Sequence, residues 1–269
     1  MIRHLLQLIW NQRKQNAWLW AELLLVSVFL WFLVDYLYVM GRTYTAPLGF
    51  DIRHTYSIVI SSLSERSPDY IPKEKRERPD GVHLLTALDR IRTYPGVESA
   101  CLTDGGMPYY MGSRNLVWRI DTLQVPCRYA FVTPEFFDVF RIYDKDGKTA
   151  SLKRAIEDNN SIVISADVET MNPGLSLLGQ KAYRGNVTDE IEETIRGISV
   201  PIRRHEYTKA EPNVYRALRL SRMEEGYYEG MIDAVRLCVR VRPDVDNADF
   251  PARLSLIHIS EPTRLLSIS

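Results

Sequence analysis

The chain has 269 residues, of which 45% are apolar, enough to bury the core of one large domain or of two modest ones. Lysine plus arginine and aspartate plus glutamate balance at 34 each, so the overall charge does not indicate a nucleic-acid partner, and we expect none. Partners must therefore be inferred from local features.

The first predicted element is a membrane-spanning helix over residues 17–40, which are apolar apart from Glu22, Ser27 and Asp35. At about 1.5 Å per residue, a helix of this length crosses a hydrocarbon core about 30 Å thick. Tryptophans and tyrosines lie towards both ends, where such rings prefer the headgroup region, and the two acids are close enough to the ends to reach water. A cleaved signal peptide is the alternative, but its apolar part is shorter and small residues follow it.

The flanking charges predict the orientation of this helix. Arg3, Arg13 and Lys14 precede it without an acidic residue, whereas both signs of charge follow it. This bias favours a cytoplasmic N-terminus and an extracytoplasmic location for the rest of the chain. Residues 1–16 would then be a cytoplasmic stub, either a helix lying in the inner headgroup region or a continuation of the membrane helix.

Two further helices are predicted after the membrane segment. Apolar residues recur at helical spacing over 81–94, with Asp80 as a candidate N-cap and Pro95-Gly96 as the stop, which predicts an amphipathic helix covering a sheet. A short aromatic helix is predicted over 133–140, with Thr133 as its cap and the following proline at its first position.

Residues 41–253 as a whole predict a mixed α+β extracytoplasmic domain. Because strands and helices alternate with long connections, we expect a pair of βαβ-type subdomains. Gly197 falls inside one strand, where it predicts a bulge or a close backbone approach. The strand-like runs are 56–60, 97–103, 116–120, 125–132, 161–165, 194–204 and 234–242.

The order of these elements resembles the MacB-type periplasmic core domain of ABC-transporter permeases in the MacB/FtsX superfamily. The resemblance extends from Met1 to about Pro251, but residues 141–160 depart from the glycine-rich loop of that family and leave the subfamily and cargo open. Besides the basic stub and the membrane helix, it is carried by LDRIRTYPGVESA (88–100), FVTPEFFDVF (131–140), SIVISADV (161–168), LGQKAYRG (178–185) and IRGISVPIRR (195–204).

This resemblance implies a permease subunit in the bacterial inner membrane that transmits motion to the periplasm. A separate ABC ATPase would bind and hydrolyse ATP, so this chain would need no cofactor of its own. Such permeases act as homodimers or heterodimers in the lipid bilayer, with periplasmic cargo or an adaptor, and export or extract a peptide, lipoprotein or antibiotic. The alternative is a single-span extracytoplasmic binding or sensor module that has no ATPase partner.

A search for reaction chemistry gives no catalytic, cofactor-binding or metal-binding residue, and we expect a protein that is not an enzyme. The five histidines form neither HExxH nor HxH. DKDG (144–147) is similar to part of a calcium loop, but Ile142 and Lys153 stand where acidic ligands are required. The glycine-rich segment 105–113 lacks the P-loop lysine and predicts a turn with two exposed tyrosines.

The three cysteines, Cys101, Cys127 and Cys238, would lie in an oxidising compartment if the predicted topology holds. An odd count leaves at least one thiol unpaired within the chain. The apolar neighbours of Cys101 and Cys127 favour buried free thiols, with a Cys101–Cys127 bridge as the open alternative.

The final segment, LSLIHISEPTRLLSIS (254–269), fits neither a strand nor a helix pattern. It resembles the in-frame translation of a transposon-derived sequencing adaptor, and we expect it to be artefactual. The native frame would then break near Arg253, before the further membrane helices that the resemblance implies. Resequencing the locus tests this expectation.

Overall fold

The computed structural model describes residues 17–62, 78–110, 114–185, 190–228, 234–246, 249–250 and 264–268, with isolated positions at 3, 7, 10, 14, 66, 68, 72, 75 and 112. The chain forms two compact units. One contains Met1–Pro47 with Glu206–Thr208, and the other contains Leu48–His205 with Lys209–Ser269.

The first unit is built on helix α1, Ala17–Thr45, which extends past the predicted end at residue 40. Its 29 residues correspond to about 43 Å, and none of them is buried in the unit. Within the part of the chain that the structure describes, it is the one helix long and apolar enough to cross a membrane. The ring of Tyr44 lies 5.7 Å from that of Tyr207. The predicted stub over residues 1–16 falls almost entirely outside the described residues.

The second unit is an α+β domain. Its helices are α2 (Asp80–Arg92), α3 (Phe136–Val139), α4 (Ala150–Glu157), α5 (Asp167–Met171) and α6 (Leu220–Glu224). Its strands are β1 (Thr55–Ser62), β2 (Val97–Asp104), β3 (Asn115–Ile120), β4 (Leu123–Val132), β5 (Ser161–Ser165), β6 (Lys181–Arg184), β7 (Ile191–Ser199), β8 (Asn213–Ala217), β9 (Val235–Val241) and β10 (Arg264–Ile268).

The first half of the sheet is a split βαβ unit. Strands β1 and β2 both pair antiparallel with β9, which lies between them, and α2 connects them. Leu84, Leu88 and Ile91 of α2 are almost completely buried against this part of the sheet, as the helical spacing predicts. Burial of such side chains contributes about 1.5–3 kcal/mol each, which fixes the helix on the sheet.

The second half of the sheet closes on itself. The strand order β4-β3-β6-β7-β5-β8 returns to β4 through a parallel β4–β8 pairing, which makes a six-stranded ring. Strands β5 and β7 are also parallel, whereas the other neighbours in the ring are antiparallel. The mixed α+β class is therefore confirmed, with one subdomain built as a split βαβ unit and the other as a closed ring.

A separate aromatic core lies around α3. Phe136, Phe137 and Phe140 are buried and pack with Tyr215, whose ring centroid is 5.4 Å from that of Phe136. The six-stranded ring of the sheet has its own core, which includes the fully buried Trp118. Strand side chains that face these clusters lie at every second position, and apolar residues therefore recur with a period of two in the strands.

Three local predictions are wrong. Helix α2 starts at Asp80, so Pro79 is the N-cap and no side chain caps the helix. Thr133 does not cap α3 either, because its hydroxyl oxygen accepts a hydrogen bond from the Leu102 backbone N–H at 3.1 Å and thereby joins β2 to the end of β4. The run predicted as one strand over 194–204 leaves the sheet after Ser199.

Gly197 confirms the prediction of a bulge with a close approach. The register of β5 against β7 shifts between Ile162 and Val163, opposite this glycine. A Cβ atom at position 197 would lie 2.9 Å from Val163 Cγ2 and 3.0 Å from Ala155 Cβ. The strand can therefore pass under α4 only with a residue that has no side chain.

The end of the sequence lies at the edge of the sheet. Strand β10 pairs antiparallel with β1, with Ile58 opposite Ile268 and Ser62 opposite Arg264. Residues 251–263 and 269 lie outside the described residues, so the artefactual origin of segment 254–269 stays a prediction.

Candidate ligand-binding cleft

A polar cleft of about 500 Å³ opens at one end of the strand ring. The parallel strands β4 and β8 end there, β6 also ends there, and β5 and β7 begin there. Helix α6 and the turn after it supply the remaining wall. The lining residues are Asp104, Arg114, Phe131, Asn159, Asn160, Arg184, Ile191, Glu193, Arg216, Ala217, Arg219, Arg222, Tyr227 and Tyr228.

Strand alternation turns several of these charged side chains towards the inside of the ring. Residues two apart on a strand share a face. Arg216 therefore shares a face with the core residue Val214, and Glu193 shares one with Ile195. The cleft is thus the polar continuation of the ring core, in the position where β-barrels commonly hold ligands.

Glu193 is the central acid of the cleft and has 2% of its side chain exposed. Arg216 donates to its carboxylate, with a distance of 2.8 Å between Arg216 Nε and Glu193 Oε1. Burial lowers the pKa of Arg216 below its ordinary value, Glu193 opposes that shift, and repulsion from Arg184 and Arg219 adds to it. Positive charge is therefore concentrated around this residue.

A second ion pair lies on the β2 side. Arg114 Nη1 donates to Asp104 Oδ2 at 2.7 Å, and Asp104 is the last residue of β2. Burial raises the pKa of Asp104, and Arg114 partly offsets the rise. Burial also raises the pKa of the neighbouring Tyr228 to about 12, with Asp104 adding to the effect, so the phenol remains a neutral donor.

Aromatic rings face the same space. The guanidinium of Arg216 lies 4.9 Å from the ring centroid of Phe131, and that of Arg222 lies 5.2 Å from the ring centroid of Tyr227. Stacking of this kind holds a guanidinium in place without neutralising its charge. The cleft therefore combines ordered positive charge with apolar surface, which suits an anion that carries an organic part.

Sequence reasoning missed this cleft because its residues come from five separate strands, one short helix and the loops between them. One signal was present in the sequence: Arg184 and Arg216 lie at period two from the apolar residues Ala182 and Val214. Charged residues in phase with a buried face indicate a polar site at the end of a core. Strands β6 and β8 were not predicted, however, so it could not be inferred that these arginines share a strand face with buried residues.

The DKDG segment forms a loop closed by its own hydrogen bonds. Asp144 Oδ1 accepts from the backbone N–H groups of Asp146 and Lys148 at 2.9 and 2.8 Å, and its other oxygen accepts from the Ser151 hydroxyl. Burial raises the pKa of Asp144, but these hydrogen bonds outweigh burial, and the pKa is lowered overall. Among the residues that the structure describes, no group of three or more potential ligands could hold a metal ion.

The glycine-rich segment 105–113 forms a turn in its described part. Tyr109 adopts a positive φ of 60° and packs edge-on against Phe50, with ring centroids 5.8 Å apart. Tyr109 is 39% exposed, whereas Tyr110 is half-buried, so the expectation of two exposed tyrosines holds for one of them. The segment therefore packs against Phe50 at the start of this unit and keeps a partly exposed ring.

All three cysteines are buried free thiols. Cys101 lies directly opposite Cys238 in the β2–β9 pairing, whereas Cys127 lies in β4 within the core of the ring. Burial raises the pKa of Cys127 to about 12 and that of Cys101 well above its usual value. The neighbour of Cys101 is therefore Cys238, and the alternative bridge to Cys127 does not form.

A buried arginine fastens the segment that begins the second unit. Arg240 on β9 is 1% exposed and donates from Nε to the Val139 carbonyl at 2.6 Å and from Nη1 to the Arg53 carbonyl at 2.9 Å. Its Nη2 donates to the Asp51 carbonyl. Backbone bonds from Asp51 N to Phe140 O at 2.8 Å and from Arg203 N to Leu48 O at 3.0 Å hold the same segment.

The architecture of this chain is similar to that of solved structures, although its sequence has no matching family. No protein-family model matches the chain, and no curated protein matches it. The fold is similar to that of a solved domain of a permease protein. At 18% identity this likeness shows a shared mixed α+β fold, in agreement with the fold that the sequence resemblance implies.

The particular structures are distant in sequence. A domain of a provisionally assigned permease from Porphyromonas gingivalis matches with a TM-score of 0.53 and 18% identity, over 81% of this chain and 89% of that one. The periplasmic region of MacB from Actinobacillus actinomycetemcomitans matches at 0.46 and 9%, over 84% and 93%. The extracellular domain of the noncanonic ABC-type transporter YknZ from Gram-positive bacteria matches at 0.44 and 12%, over 75% and 88%.

Proposed function

We propose that this chain acts as part of an ABC-transporter permease in the bacterial inner membrane. Helix α1 would cross the bilayer with a cytoplasmic N-terminus, and the α+β unit would lie in the periplasm. A separate ATPase would bind and hydrolyse ATP, and the permease would act as a homodimer or heterodimer. The single observation that carries this proposal is the fold shared with the P. gingivalis permease domain, in a chain that also carries an apolar helix of 29 residues.

The role of the α+β unit in this proposal is to receive motion and act on a periplasmic peptide, lipoprotein or antibiotic. Motion can be transmitted only where the chain is attached firmly to the sheet. The Arg240 contacts and the backbone bonds of Leu48 and Asp51 support this role, because they attach residues 48–53 to β9, to the end of α3 and to Arg203. A loosely attached linker would absorb displacement instead of transmitting it.

Labelling of single cysteines in intact cells tests the topology. Glu157→Cys places a thiol on the exposed end of α4, and Lys14→Cys places one before α1, both at exposed positions. The native cysteines are buried and give little background. A membrane-impermeant maleimide should label Glu157→Cys and spare Lys14→Cys until the cells are lysed. The reverse pattern would contradict the proposed orientation.

Photo-crosslinking in cells separates the permease from the sensor alternative. A photoreactive residue at Lys14 should trap an ATPase with a nucleotide-binding P-loop, and nucleotide depletion should change the yield. A crosslink to a signalling kinase or to another regulator, without an ATPase, would favour the sensor. The readout identifies the partner by mass spectrometry, and the same chain without the photoreactive residue is the control.

A further inference from the structure

We propose that the arginine-lined cleft binds a phosphate group carried by a small organic molecule or a lipid headgroup. The cleft is lined by five arginines and two carboxylates, so its described lining has an excess of positive charge. The five guanidiniums belong to Arg114, Arg184, Arg216, Arg219 and Arg222.

The ion pairs between arginines and carboxylates leave the excess positive charge at the α6 end of the cleft. Glu193 and Asp104 neutralise Arg216 and Arg114. Arg219 and Arg222 form no ion pair with any residue in the part of the chain that the structure describes, and they lie three apart, on adjacent turns at the α6 end of the cleft. Each guanidinium can bind phosphate oxygens through paired N–H donors, so both of these arginines are suited to a phosphate in the cleft.

The buried part of the cleft also contains two polar atoms that make no hydrogen bond. Glu193 Oε2 and Arg184 Nε are both buried, face each other at 3.5 Å and make no hydrogen bond. A buried charged pair at this separation gives up much of the stabilisation that a hydrogen bond would provide. A bound phosphate would give Arg184 an acceptor and reduce the repulsion among the arginines around Arg216.

The charge balance favours phosphate over a lone carboxylate. The five guanidiniums carry three more positive charges than the two lining carboxylates can neutralise. A phosphate monoester carries between one and two negative charges near neutral pH, whereas a carboxylate carries one. The cleft volume of about 500 Å³ leaves room for an organic part, which would contact Phe131 and Tyr227.

The test uses calorimetric titration of the full chain in nanodiscs of zwitterionic lipid. The probes are inorganic phosphate, acetate as the carboxylate control, and dihexanoyl phosphatidic acid below its micelle concentration. Phosphate should bind more tightly than acetate, and binding should weaken when the salt concentration rises from about 50 to about 200 mM. Tighter binding of the short-chain lipid than of phosphate would identify a lipid headgroup as the source, and equal binding would identify a soluble phosphate.

The double variant Arg219→Gln/Arg222→Gln should weaken phosphate binding at least about tenfold, which corresponds to about 1.4 kcal/mol. Arg242→Gln is the matched control, because Arg242 is exposed and forms an ion pair with Asp244, which lies outside the cleft. The control should bind as the unaltered chain does, and the thermal transition of each variant verifies that it is folded.

Three results would overturn the proposal: no heat with phosphate or with the lipid, equal affinity for acetate and phosphate, or unchanged binding by a folded double variant. The topology and crosslinking tests do not involve the cleft. Failure here would therefore leave the proposed permease function standing.

Discussion

Arg240→Met is the most informative single change in the α+β unit. The side chain of Arg240 is almost completely buried and supplies hydrogen bonds to three backbone carbonyls, those of Asp51, Arg53 and Val139. Methionine fills a similar volume and has no donor. The carbonyls belong to the backbone, so they cannot be replaced by apolar groups, and each loses a charged donor.

The magnitude follows from two opposing effects. A hydrogen bond to a charged group contributes about 1.5–3 kcal/mol, so the loss of three sets an upper range of about 4.5–9 kcal/mol. Burial lowers the pKa of Arg240, which indicates a desolvation cost for the charge that methionine removes. We expect a net destabilisation of about 3–5 kcal/mol and a fall in Tm of about 10 °C. Arg240→Lys keeps the charge with fewer donor directions and should lose about half as much.

A thiol-reactive dye provides the assay. All three cysteines are buried in the α+β unit and none lies in α1, so thiol exposure reports unfolding of this unit alone. Arg242→Met is the control, because its exposed side chain forms a 3.5 Å pair with Asp244 that contributes little. If Arg240→Met and Arg242→Met unfold at the same temperature, the three carbonyl contacts do not stabilise the fold and the reasoning fails.

Three further predictions follow from the same structure. Gly197→Ala should destabilise the unit by about 1–3 kcal/mol in urea unfolding, because the added Cβ would lie 2.9 Å from Val163 Cγ2, and an equal midpoint would refute the close approach. Hydrogen bonds from Tyr56 and His54 lower the pKa of Asp246, so this carboxylate stabilises the fold at neutral pH and the contribution disappears as the pH falls through its lowered pKa. Asp246→Asn should therefore cost about 1–2 kcal/mol at pH 7, and this cost should disappear as the pH falls through the lowered pKa of Asp246, so that a cost independent of pH would contradict this assignment. Cys127, whose pKa is raised to about 12 by burial, should resist a thiol reagent at pH 8 until the unit unfolds, and rapid labelling of the native chain would show that the thiol is accessible.

The sequence alone predicts the elements whose signals are local. A long apolar run gives α1, the helical spacing of Leu84, Leu88 and Ile91 gives α2, and β-branched runs give most of the strands. The order of these pieces also supports the resemblance to a permease domain. Local signals succeed here because burial of one face imposes a period on the residues that face it.

Signals that depend on partners distant in the chain were missed. The sequence predicts Thr133 as a helix cap, but its hydroxyl oxygen accepts a hydrogen bond from the backbone N–H of Leu102 in β2. Strands β6 and β8 are short, with four and five residues, and four of these nine residues are lysine, arginine or asparagine, so their strand character comes from pairing within the ring. Pairing energy of this kind depends on neighbours that the sequence does not identify.

The sequence by itself determined the apolar helix, the α+β class and the absence of a recognised catalytic motif, because each is written in contiguous residues. Only the tertiary structure decided that the second half of the sheet closes into a ring and that Arg240 fastens residues 51–53. It also decided which charged residues lie together. Arg184, Glu193 and Arg216 are on three different strands, and closure of the ring brings them into the same cleft. The physical reason is that strand pairing, and not proximity along the chain, sets which side chains share an interior face.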